Sequence, residues 1–203
     1  MIMNTNIATA LTKSYTYKEY REMVSQLIIE GKSTGNSQSD DLLHYSELNE
    51  TRMNRLEKTI KITDEVQTQI SQLETNVTWL VISEGWCGDA AQILPIIYKM
   101  AELSENIDLK IVLRDENEAL MNDFLTNGGM AIPKLIILDE ENNVVGDFGP
   151  RPEPARKLIA DYKAANGVVD EPIKVELQKW YLHDKGISTQ NEIMQLMKSK
   201  ELV

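Results

Sequence analysis

Residues 79–100, WLVISEGWCGDAAQILPIIYKM, carry the only cysteine of the chain where a strand pattern gives way to a helix pattern. Trp79, Leu80, Val81, Ile82 and Ser83 form an apolar, β-branched run of the kind expected in a strand buried on both faces. Glu84-Gly85 ends that run. From Asp89 onward, Ala90, Ile93, Leu94, Ile97 and Ala101 recur at helical spacing, which predicts a helix starting at or just after Cys87 with its apolar face on a sheet. Pro95 falls inside this pattern and is expected to kink it. A thiol at the N-terminal edge of a helix meets unpaired N–H groups and the positive end of the backbone dipole, and both favour the thiolate.

Working outward, residues 107–113 (IDLKIVL) alternate and then run apolar, as a second core strand does, and Arg114-Asp115-Glu116-Asn117 follow. Loops beyond the carboxyl ends of parallel strands line the ligand crevice in α/β sheets, so Arg114 is a candidate to face Cys87. The bland alternative is a surface ion pair with Asp115 or Glu116. Residues 117–127 carry Leu120, Met121, Phe124 and Leu125 as a helix, with Gly128-Gly129 as its expected C-cap. Met130-Ala131-Ile132-Pro133 leads into 134–138, and Glu140-Glu141-Asn142-Asn143 separates that run from 144–148, so an antiparallel hairpin is expected. Helical patterns follow at 154–165, 172–184 and 189–200, with Trp180 and Tyr181 expected to pack against the fold or a second subunit. Upstream, 17–30 and 42–60 carry helical stripes separated by GKSTGNSQSDD, and Thr63-Asp64-Glu65 looks like a further cap. The expected organisation is a helical extension over 1–75, an α/β core over 76–165 and a helical tail over 166–203, with the extension forming a layer over one side of the sheet.

A formal net charge of −11 over 203 residues argues against nucleic acid or an anionic membrane as partner, since both call for clustered Lys and Arg. One cysteine excludes an internal disulfide framework and fits a reducing compartment, so a cytoplasmic location is expected. The N-terminus lacks the charged and long apolar segments of a secretory signal, and no run approaches the roughly 18 apolar residues needed to cross a bilayer. His44 and His183 each stand alone, so neither a metal site nor a cofactor is expected.

Trp86-Cys87-Gly88 after a buried strand, a helix interrupted by a proline about two turns later, and Ile132-Pro133 before a later apolar strand together resemble the thioredoxin family. The resemblance covers roughly 76–165 and implies a thioredoxin-like α/β fold with a central four-stranded mixed sheet. It also implies that Cys87 corresponds to the attacking cysteine of W-C-G-P-C, Trp86 to the flanking tryptophan, and Ile132-Pro133 to the cis-proline pair that lies beside the sulfur. On that basis Cys87 is the catalytic candidate, and Trp86, Gly88, Asp89, Ile132 and Pro133 are the substrate-binding candidates.

This chain departs from the pattern at two linked places. Asp89 replaces the proline and Ala90 the resolving cysteine, so no intramolecular disulfide can form. The family's buried aspartate falls on Val81. Asp89 gains from the helix dipole, yet its charge opposes a thiolate at Cys87, and a modestly acidified thiol is the expected balance. Arg151, in the stiff segment Gly149-Pro150-Arg151-Pro152, is a second candidate to offset Asp89. The resemblance then implies a monothiol oxidoreductase, in which Cys87 attacks a disulfide or mixed disulfide of a protein or small molecule and an external thiol resolves it. Two alternatives stand beside it: a non-catalytic interaction module in which Cys87 is a small, partly buried apolar residue, and a peroxide sensor passing through a sulfenic acid.

Overall fold

The computed structural model describes residues 4–203, and within them the chain forms four strands and nine helices. β1 (Val77–Ser83) is buried along almost its whole length and lies second in a sheet of order β2-β1-β3-β4. β2 (Ile107–Leu113) runs parallel to β1, whereas β3 (Lys134–Leu138) and β4 (Val144–Phe148) are antiparallel to their neighbours. The register sets Val81 opposite Ile111 on one side and Leu135 on the other, so three apolar strands share one continuous core. Val81 is fully buried and apolar. This is the mixed four-stranded α/β sheet expected from the sequence.

α5 (Gly88–Ala101) starts at Cys87 and continues across Pro95. Nearly every residue from Asp89 to Ile97 is buried, so the helix is covered on all sides. Such burial needs layers beyond the sheet, and the two ends of the chain supply them. α3 (Asp40–Thr59) packs along α5, while α9 (Ile187–Ser199) packs on α5, on β4 and on α4 (Asp64–Ile70). α2 (Tyr17–Ile29) is fixed to α3 by Arg21, which pairs with Glu50 and Glu57 and donates to Asn54. The Tyr17 ring also stacks on Tyr98 of α5 at 4.0 Å.

Local rules explain most helix starts. Thr16 and Glu19 form a reciprocal capping box, and the Ser39 and Thr63 hydroxyls accept from the N–H groups three residues on. One expectation on element limits needs correction, and one helix lies where none was expected. The helix expected over 117–127 is only α6 (Glu118–Asp123), which ends at Phe124 rather than at Gly128-Gly129; Thr126 and Gly129 instead exchange backbone hydrogen bonds in a small turn. α1 (Thr5–Leu11), which buries Ile7 and Ala10, lies in a stretch too weakly apolar to have shown a helical stripe. Between α1 and α2, Tyr15 exchanges backbone hydrogen bonds with Ile111 and covers part of the free edge of β2.

The tail closes the structure. α7 (Glu153–Asn166) is followed by α8 (Glu171–Asp184), and a left-handed turn at Lys185-Gly186 leads into α9. Gly186 has φ +80°, and a Cβ there would stand 2.7 Å from the Ile96 Cδ1 atom of α5. Gly186→Ala is therefore expected to cost roughly 1–3 kcal/mol through strain and overpacking, read as a lower denaturant midpoint with unchanged slope.

Candidate functional site

The strand-to-helix junction brings Cys87 against the segment that leads into β3. Its S–H donates to the Ile132 carbonyl at 3.3 Å, and Sγ accepts from the Ala90 N–H at 3.5 Å. The Ile132–Pro133 peptide is cis, as is Gly149–Pro150. The sequence-derived site residues thus fall at one end of the sheet, but they are not equally open. Cys87, Asp89, Ile132 and Pro133 are buried, with Cys87 only 8% exposed, and Trp86 and Gly88 are half-buried.

The expected modest acidification of Cys87 is not what this environment produces. Burial pushes the thiol up to about 12, and the Asp89 charge adds to the rise, whereas the Ala90 and Asp89 N–H groups and Arg151 pull only part of the way back. Desolvation outweighs the helix terminus because a closed site denies the thiolate water while offering it two N–H groups and one shared cation.

Asp89 is the electrostatic centre of the site. Its Oδ2 lies 2.6 Å from the Arg151 guanidinium, and its Oδ1 accepts from the Tyr181 hydroxyl at 2.9 Å. Burial alone would lower the Arg151 pKa, yet the neighbouring Asp89 carboxylate raises it, so the cation stays charged. Tyr181 is pushed well above the usual phenol range by its own burial and by Asp89, so it remains a proton donor. A buried carboxylate here has one ionic and one neutral donor, the pairing that makes its burial tolerable. Arg151 thus performs the balancing role considered for it. Arg114 does not reach Asp89: it pairs with Asp115 at 2.7 Å and lies over the Trp86 ring, 4.8 Å from its centre.

Several contributors have no local sequence signal. Tyr181 reaches Asp89 from 92 positions away, and beside it Gln178 accepts from Gln92 at 2.7 Å, so α8 lies over the first turn of α5. On the opposite side, Asn49 of α3 donates to the Gly85 carbonyl at 3.0 Å, and Thr34 accepts from the Gly85 N–H at 2.8 Å. Glu84 is fully buried, accepts from the Asp115 N–H, and has its pKa raised chiefly by desolvation. Only one hint was present in the sequence: a carboxylate at the start of an apolar helix requires a donor, and that requirement does not say which distant residue meets it. Among the described residues, no group of three or more His, Cys, Asp or Glu side chains could hold a metal ion.

A mixed sheet of this order, with a cysteine opening the helix after its first strand and a proline-led strand within hydrogen-bond reach of the sulfur, defines a thioredoxin-like protein. A family model described as thioredoxin matches residues 35–163, well over half of the chain, and the chain belongs to that family. None of the curated proteins matches it. Among solved structures, a protein of unknown function from Pseudomonas aeruginosa aligns with a TM-score of 0.59 and 18% identity, covering 91% of this chain and 98% of that one. An HIV epitope scaffold aligns with a TM-score of 0.58 and 18% identity, over 86% of this chain and 97% of that one. At such identities the likeness is one of fold, and its coverage takes in much of the helical extension and tail. Among the described residues no helix is long and apolar enough to cross a membrane.

Two measurements follow. Arg151→Ala leaves Asp89 buried beside a single neutral donor, and is expected to lower stability by about 3 kcal/mol in denaturant titration. The second concerns pH. The unfolded thiol loses its proton near pH 8.5, long before the folded one, so the folded state holds the extra proton over that interval. Stability from this source is intact below about pH 8.5 and falls as pH rises toward the folded value, by at most about 1.4 kcal/mol per pH unit. Cys87→Ala should therefore lose less stability than wild type between about pH 9 and 11.

Proposed function

We propose that this protein is a thioredoxin-fold interaction protein whose Cys87 is held protonated and closed at neutral pH, and that it does not run the family's dithiol cycle. One observation carries this reading: the buried Cys87 S–H is donated to the Ile132 carbonyl in a site shared with the Asp89–Arg151–Tyr181 cluster. A thiol at about 12 contributes almost no thiolate at pH 7, and only the thiolate attacks disulfides. Ala90 stands at the resolving position, so a mixed disulfide could not be released internally. The surface left for a partner is the rim of the site, where Trp86 and Gly88 are half-buried.

A second reading, monothiol exchange with a protein or small-molecule disulfide, is favoured by one specific feature. The Ala90 and Asp89 N–H groups and Arg151 all favour the thiolate, and burial is the largest influence against it. Opening the site to water would remove that opposition, leaving Cys87 as nucleophile with Trp86, Gly88, Asp89, Ile132 and Pro133 around the incoming sulfur. A reducing, cytosolic setting suits either reading for a chain with a single cysteine, and the net charge of −11 disfavours nucleic acid and anionic membrane as partners.

Alkylation of Cys87 by iodoacetamide across pH, run beside a mixed-disulfide reduction assay, separates the two. The closed reading expects labelling at neutral pH at least about a hundredfold slower than for free cysteine, and equal background turnover for wild type and Cys87→Ser. Labelling as fast as free cysteine, with turnover lost in Cys87→Ser, would establish monothiol exchange instead.

A further inference from the structure

The chain is strongly acidic, yet one groove on its surface is lined by cations and apolar side chains with no carboxylate. It runs between α3 and the α8–α9 turn. Its deeper part has a volume of about 520 Å³ and is walled by Arg55, Leu56, Lys61, Leu182, Lys185 and Ile187. It continues into a shallower part that shares Arg55 and Leu182 and reaches Arg52 and Gln178. Neither part includes an Asp or Glu among its lining residues. The cleft between α2 and α3 differs, since Glu22, Glu50 and Glu57 all line it.

Lys179, in the shallower part, pairs with Glu176 at 2.7 Å, and the other cations of this groove carry no ion pair among the described residues. Most ion pairs elsewhere join neighbouring charges, but among the described residues Arg52, Arg55, Lys61 and Lys185 form no salt bridge. Arg52 sits half-buried, and its pKa is lowered by burial and then by the positive charge of Arg55, so the two guanidiniums repel without an anion between them. Leu182 is 55% exposed and Ile187 39%, both flanking the same cations. Water-exposed leucine and isoleucine beside unpaired cations fit a ligand with an apolar body and a negative head. The volume falls within the range of small-molecule sites, roughly 300–1,000 Å³.

We propose that the groove between α3 and α8 binds a small amphiphilic anion, of the class of a medium-chain fatty carboxylate. The tail lies along Leu56, Leu182 and Ile187, and the carboxylate is held by Arg55 with Lys61 and Lys185. The site is separate from the Cys87 cluster, although both use α8: Tyr181 lines the groove while its hydroxyl is bonded to Asp89.

Isothermal titration of the full chain with decanoate tests this, with acetate supplying the head without the tail and decyltrimethylammonium the tail with the opposite charge. Decanoate is expected to bind at one site, acetate and decyltrimethylammonium far more weakly. Because Arg55 and Lys185 are exposed, the double variant Arg55→Ala/Lys185→Ala should keep its circular dichroism spectrum while losing at least about tenfold in decanoate affinity. Leu182→Asp should lose as much. The proposal is overturned if decanoate does not bind, if the cationic amphiphile binds equally well, or if the double variant binds as wild type does. It is also overturned if a poly-glutamate peptide binds the groove more tightly than decanoate, which would make it a site for acidic peptide.

Discussion

A carboxylate buried at the first turn of a helix is the constraint around which this structure is arranged. Asp89 gains from the helix terminus, but its burial is tolerable only because Arg151 supplies a charge and Tyr181 a hydroxyl. Those donors come from the segment after β4 and from α8, so one side chain ties the helix opening, the end of the sheet and the tail together. The consequences extend beyond the contact. The sulfur beside Asp89 is itself buried, and its proton is donated to the Ile132 carbonyl.

The electrostatics of the site follow from the same arrangement. A helix N-terminus ordinarily acidifies a thiol, and both N–H groups needed for this act on Cys87. Their effect is outweighed because a desolvated thiolate would stand beside an existing carboxylate whose compensating cation is already engaged. On the proposed reading, the chain keeps a cysteine at the helix opening while burial and a neighbouring carboxylate oppose its thiolate. The resemblance places Ala90 at the resolving position and Val81 at the place of the buried acid, which fits that reading, and Val81 adds to the apolar core of the strand.

Much of this was legible in the sequence, for identifiable reasons. β1 and β2 announce themselves through β-branched runs, α5 through its apolar spacing, and the juxtaposition of Cys87 with Ile132-Pro133 through the resemblance to the thioredoxin family. Thr63 as a cap and Arg151 as the partner of Asp89 were also open to reading. The thiol's protonation was not, because it depends on burial within the assembled fold, and no local pattern records that Tyr181 bonds Asp89 from 92 positions away. The end of α6 was misplaced because Phe124 and Leu125 continue the apolar spacing after the backbone has left the helix. α1 escaped notice because its two buried residues, Ile7 and Ala10, are too few to mark a stripe.

The central claim is that the tail locks the site by bonding Asp89 through Tyr181, and a double-mutant cycle of Asp89→Asn and Tyr181→Phe measures that bond most directly. The account expects a coupling energy of about 1.5–3 kcal/mol in denaturant unfolding, the range for a hydrogen bond to a charged group. Additive effects of the two substitutions would contradict it, because they would mean that α8 lies over the first turn of α5 without being held there by Asp89.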